Sequence, residues 1–130
     1  MNKVLAVAAI LMAGVSAPGA AQGQMEKGSA PVARQASITG TVVDVSCKFG
    51  QGLSGADHKM CAEVCSDRGI PLAILGNDGK LYVPTSASMP GDAQNSRLKP
   101  FAEQKVKVSG KVFAAAGANA IQIATIESAK

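Results

Sequence analysis

The chain contains no tryptophan, one tyrosine and three phenylalanines among its 130 residues. Proteins that bind single-stranded nucleic acid stack the bases on aromatic side chains along a basic groove. Here the net charge of +4 is spread along the chain, which is typical of a hydrated surface rather than a nucleic-acid footprint. We therefore expect no nucleic-acid binding.

The sequence also lacks an apolar run of the ~20 residues that a membrane-spanning helix needs. Its longest run, Val4 to Val15, follows the basic residue Lys3 and precedes the small residues of 16–21. This order is typical of a cleaved secretory signal. We predict a signal peptide over residues 1–21, no stable membrane anchor after its removal, and a periplasmic or secreted mature protein in an oxidising compartment.

The segment after the signal lacks hydrophobic periodicity. Residues 22–36 are polar and include two glycines and a proline, a composition that favours a flexible leader. We assign residues 37–130 to one domain. A domain of this size buries a modest core, so a disulfide or a metal ion would help to stabilise it.

Cysteine and histidine are scarce and confined to one place. The chain has three cysteines and one histidine, all between Cys47 and Cys65. If residues 56–68 form a helix, His58, Cys61 and Cys65 share an arc of about 60° on one face. Cys47 precedes them across a glycine-rich loop that is long enough to fold back over that face.

Three sulfurs and one imidazole form a complete tetrahedral set for zinc, or a site for copper(I). We therefore predict a metal site of Cys47, His58, Cys61 and Cys65, in a non-enzymatic metal-binding domain. Four protein ligands leave zinc no open position for a substrate, which favours a binding protein over an enzyme.

Two other hypotheses account for the same residues. One disulfide, from Cys47 to Cys61 or Cys65, would staple the loop of a periplasmic interaction or scaffold domain and leave one thiol over. Alternatively, the cysteines belong to a thiol redox protein, in which His58 lowers the pKa of Cys61.

Turn residues and alternating apolar residues divide the domain into strands and short helices. Gly40 and Gly110, each within a β-rich run, predict sharp bends at barrel corners. The fold class is mainly β: a five-stranded OB-like small barrel, with a helical insertion after the first strand and a short helix before the fourth. The predicted strands cover residues 37–45, 70–75, 80–83, 105–113 and 120–126, and the short helix covers 100–103.

The closing strands, residues 106–112 and 120–127, resemble the end of OB-fold domains of the tRNA-anticodon-binding type. The domain as a whole resembles a group of small exported bacterial proteins of unassigned function, which implies an exported OB-like domain but no activity. The residues that carry this second resemblance are Cys47, His58, Cys61, Cys65, Gly69 to Leu72 and Gly79 to Tyr82.

Overall fold

A computed structural model describes residues 28–130. The predicted signal peptide, residues 1–21, lies outside the described residues, as does the first part of the predicted leader. The last residues of that leader, Arg34 to Ala36, belong to the first strand. The strands are β1 Arg34–Asp44, β2 Leu72–Gly76, β3 Leu81–Pro84, β4 Lys105–Ala115 and β5 Ala118–Ser128. The α-helices are α1 Val45–Gln51, α2 Lys59–Asp67 and α3 Asn95–Leu98.

The five strands form a closed barrel in the order β1-β2-β3-β5-β4. β3 and β5 run parallel, whereas the other neighbouring pairs are antiparallel. Helices α1 and α2 lie between β1 and β2 in the chain, and α3 precedes β4. The predicted fold class, a five-stranded barrel with a helical insertion and a short helix before the fourth strand, is confirmed.

β1 closes the barrel because it pairs with two strands in succession. Residues 34–41 pair with β4, and residues 40–44 pair with β2. At the changeover, a side chain on Gly40 would overlap the backbone carbonyl of Leu75. Gly110 lies beside a register shift between β4 and β5. Both glycines therefore mark irregular points of the barrel, as the sequence predicts.

The barrel interior is filled by aliphatic side chains and one aromatic ring. In β4, Val106, Val108 and Val112 are buried while the intervening lysines are exposed. Tyr82 is also buried, and its hydroxyl donates a hydrogen bond of 2.6 Å to Oδ2 of Asp78 in the β2–β3 turn. The alternation of β4 and the hairpin between β2 and β3 agree with the sequence prediction.

Further local predictions differ from the structure. The helix expected over residues 56–68 is a 3-10 turn at Ala56–His58 followed by α2, so His58 precedes the α-helix. The segment after Cys47 was expected to be a loop, but Cys47 lies within α1, because Asp44 caps that helix through its side chain. The short helix expected at residues 100–103 begins earlier, at Asn95, and continues as a 3-10 turn over Lys99–Phe101. Within residues 28–130, no helix combines the length and the apolar character needed to cross a membrane.

Candidate metal centre

Cys47 is held at the first turn of α1. The backbone N–H of Cys47 donates a hydrogen bond of 2.9 Å to Oδ1 of Asp44, the last residue of β1. An aspartate in this position satisfies a helix donor that would otherwise lack a partner. The strand therefore passes directly into the helix, and Cys47 is 7% exposed.

Cys61 and Cys65 lie one turn apart on α2, so their side chains share one side of the helix. The neighbouring side of α2 carries Ala62 and Ser66, both buried. These are small residues, which let the helix approach the barrel closely. Cys61 is exposed and Cys65 is partly buried, so a solvated ion has access to the pair.

α2 is tied to the barrel by one amide side chain. Asn95 donates hydrogen bonds to the carbonyls of Ser66 and Ile70, and its Oδ1 accepts one from the N–H of Leu72. It thereby joins the end of α2 to the start of β2. Lys99 adds an ion pair of 2.6 Å to Asp67, although half-exposed pairs of this kind contribute little.

The three cysteines converge at one point. Their ligand atoms all lie within 4.8 Å of one another, with separations of 4.1–4.3 Å. A tetrahedral ion with metal–sulfur bonds of about 2.3 Å holds its sulfurs about 3.8 Å apart. Each side of the sulfur triangle therefore needs to shorten by only about 0.4 Å for the three sulfurs to surround an ion.

The same separations argue against the alternative hypothesis of a disulfide. A sulfur–sulfur bond is about 2.05 Å long, roughly half of what is found, and Cys47, Cys61 and Cys65 are all free thiols. The hypothesis of a bridge from Cys47 to Cys61 or Cys65 is therefore wrong for this structure. The helix α1 turns Cys47 toward α2 without any covalent staple.

The thiols of the site hold their protons tightly. Hydrogen bonding to the Asp44 carboxylate, followed by burial, raises the pKa of Cys65 from 9.0 to about 12. Burial, followed by the negative charge of Asp44, raises the pKa of Cys47 as well. In the metal-free protein, both groups are therefore neutral thiols at physiological pH.

His58 lies in the 3-10 turn Ala56–His58 that precedes α2. Its Nδ1 is 3.1 Å from Oε1 of Glu103, and the two side chains are 9% and 0% exposed. The ring nitrogen and the carboxylate oxygen are thus within hydrogen-bond distance. The three cysteine sulfurs lie within 4.8 Å of one another, and neither ring nitrogen of His58 belongs to that group.

Two acidic residues at the site were missed by the sequence reasoning. Asp44 stands three residues before Cys47, and an aspartate at that spacing is a helix-cap signal that could have been used. Glu103 binds both the His58 ring and, through Oε2, the N–H of Gly55 at 2.8 Å. It is 45 residues from His58 in the chain, so no local pattern indicates the contact.

Comparison with known proteins adds no assignment to this geometry. No protein-family model, curated protein or solved structure matches the chain. The case for a function therefore depends on the site itself.

Proposed function

We propose that this chain is an exported metal-binding domain that holds one zinc or copper ion on the thiolates of Cys47, Cys61 and Cys65. The observation that carries the proposal is the convergence of three reduced sulfurs from two separate helices. Sulfur ligands select thiophilic ions of this kind over magnesium or calcium.

The pKa values argue against thiol redox activity. Cysteines that exchange disulfides are activated by a lowered pKa, which supplies the thiolate nucleophile. The pKa values of Cys47 and Cys65 are instead raised. A bound cation reverses this effect, because its charge drives the protons off the thiols. Without a bound cation, Cys47 and Cys65 lack the activation that a redox cysteine needs.

Export is supported by the sequence of residues 1–21 and agrees with the site. Unpaired thiols are vulnerable in an oxidising compartment. A metal ion shared by all three cysteines would protect them there, which explains an odd number of thiols without a disulfide.

A fourth ligand would complete a tetrahedral site. The prediction that His58 supplies it remains a prediction. In its favour, Nε2 is buried without a hydrogen-bond partner in the described part of the chain, and Nδ1 is oriented by a carboxylate, as is usual for metal-binding histidines. Neither ring nitrogen, however, lies within 4.8 Å of all three sulfurs.

The experiment that tests the function is a thiol and metal count. The exported mature chain is purified without reducing agent, its thiols are counted after unfolding, and bound metal is measured by mass spectrometry. We expect three thiols and one equivalent of metal. One thiol without metal would instead indicate a disulfide, and thiols that interconvert with a disulfide in glutathione buffer without metal would indicate a redox protein.

Substitutions locate the ion within the molecule. Cys61→Ser removes one sulfur at the exposed side of the site, and we expect the metal equivalent to be lost. Met60→Ser is the matched control, because Met60 is the adjacent residue on α2 and is 77% exposed. Metal loss in both variants would place the ion elsewhere.

A further inference from the structure

Glu103 has a backbone conformation that few residues other than glycine adopt. Its φ is 59°, in the left-handed region where a side chain strains the backbone. Its side chain is also fully buried. A glycine would avoid both the strain and the cost of burying a carboxylate. Strained residues cluster at functional positions, and the side chain of Glu103 therefore has a role that glycine could not fill.

The carboxylate of Glu103 holds the turn that leads into α2. Its Oε2 accepts a hydrogen bond of 2.8 Å from the N–H of Gly55, and its Oε1 lies 3.1 Å from Nδ1 of His58. α2 begins at the next residue, and Cys61 lies three positions after His58, within the first turn of that helix. The carboxylate therefore fixes the end of α2 that carries Cys61, whereas Asn95 fixes the other end.

The backbone around Glu103 is bonded to the strand that leads to Cys47. The N–H of Glu103 donates a hydrogen bond of 2.8 Å to the carbonyl of Val42, and the N–H of Val42 donates one of 3.1 Å to the carbonyl of Gln104. Val42 belongs to β1 and lies two residues before Asp44, which caps the helix that contains Cys47. A single residue thus connects the two segments of the chain that carry the sulfurs.

We infer that Glu103 is a positioning residue of the metal site: it holds Cys61 near Cys47 and thereby raises the affinity for the ion, without touching the ion itself. The inference rests on the proposed function of the three cysteines. Cys61 is exposed, so packing restrains it less than Cys47, which is buried. Ligands that are held in place before binding give a higher affinity, because less conformational freedom is lost when the ion binds.

Three substitutions of Glu103 separate positioning from fold stability. Glu103→Ala removes the carboxylate and keeps the strained backbone. Glu103→Gly removes the carboxylate and relieves the strain, so we expect it to unfold at a higher urea concentration than Glu103→Ala. Glu103→Gln keeps an oxygen that accepts from the N–H of Gly55, and its NH₂ group can donate to Nδ1 of a neutral His58 ring.

Asp78→Ala is the matched control. Like Glu103, Asp78 is bonded through its carboxylate to one backbone N–H, that of Lys80, and to one side chain, the hydroxyl of Tyr82. It lies in the turn between β2 and β3, outside the helical insertion. The variant therefore removes a carboxylate with two contacts and leaves the attachment of α2 intact.

The measurement is the affinity of the mature chain for Zn²⁺ and for Cu⁺, each by competition with a chelator under anaerobic conditions, together with urea unfolding of each metal-free variant. For each ion that the wild type binds, we expect Glu103→Ala and Glu103→Gly to lower the affinity by the same factor, about tenfold or more, although their stabilities differ. Glu103→Gln should stay within about threefold of the wild type, and Asp78→Ala should leave the affinity unchanged.

Three results would overturn the inference and leave the proposed function in place. Wild-type affinity in Glu103→Ala would show that its contacts do not position the sulfurs. Affinity that recovers with stability in Glu103→Gly, or that falls equally in Asp78→Ala, would show that Glu103 acts only through fold stability. A loss in Glu103→Gln as large as in Glu103→Ala would show that the charge matters rather than the position. If the wild-type chain binds neither ion, the proposed function and the inference both fail.

Discussion

The proton on Cys65 shows how a single buried carboxylate sets the chemistry of this site. Hydrogen bonding to the Asp44 carboxylate, followed by burial, raises the pKa of the Cys65 thiol from 9.0 to about 12. A folded state with a raised pKa binds the proton more tightly than the unfolded chain does. The proton on Cys65 therefore contributes its full stabilisation at pH values below 9.0, the ordinary pKa of the thiol. That stabilisation is lost as the pH rises toward the pKa of about 12 in the folded chain.

We expect the metal-free wild-type chain to lose stability more steeply between about pH 8 and about pH 10.5 than Cys65→Ser does, because only the wild type carries this proton. Urea unfolding in reducing, chelator-treated buffer at both pH values measures the difference. Serine matches cysteine in shape and does not ionise in this range. Equal loss of stability in the two proteins would contradict the coupling between Asp44 and Cys65.

At the scale of elements, the site depends on where α2 is held. Its end is joined to β2 by three hydrogen bonds of Asn95. Each such bond contributes about 0.5–1.5 kcal/mol. Since Cys61 and Cys65 are both on α2, the attachment also maintains the sulfur triangle.

We expect Asn95→Ala to lower the free energy of unfolding by about 2–4 kcal/mol, because it removes all three hydrogen bonds. Asn95→Asp should lie between this variant and the wild type, since it keeps the acceptor for Leu72 and loses both donors. Ser96→Ala, at the next and exposed position, serves as the control. Denaturant unfolding measures the free energy of unfolding of all three variants. If Asn95→Ala lowers it no more than Ser96→Ala does, Asn95 does not anchor α2.

At the scale of the whole molecule, the proposed metal binding would be coupled to folding. Only the folded chain brings Cys47, from the helix after β1, beside the cysteines of α2. An ion that binds the folded state alone stabilises it by about 2.7 kcal/mol when its concentration is 100 times Kd. Such an ion would join α1 to α2, the two helices of the insertion.

We expect zinc at that excess to raise the Tm of the mature chain by about 10–20 °C, given 4–8 °C per kcal/mol for a domain of this size. Excess chelator should reverse the change. Calorimetry with and without zinc measures it, and Cys47→Ser provides the comparison, because it removes the sulfur of α1 alone. A rise of the same size in Cys47→Ser would mean that the ion does not link the two helices.

Most of the barrel could be predicted from the sequence because its signals are local. Alternating valines and lysines predict the position of β4 within a few residues. Turn residues do the same for the hairpin between β2 and β3. Gly40 indicated a bend for the same reason. The scarcity of ligand residues outside positions 47–65 also identified the candidate site.

The completion of the site was decided by the tertiary structure. The sequence predicts His58, Cys61 and Cys65 on one helix face, whereas the structure places His58 in the 3-10 turn before α2. Nor does the sequence show that α1 directs Cys47 onto the cysteines of α2 without a disulfide. It also gives no sign that Glu103 reaches across 45 residues to hold His58. These contacts depend on how the insertion packs against the closed barrel, and packing joins residues that are distant in the chain and share no periodicity.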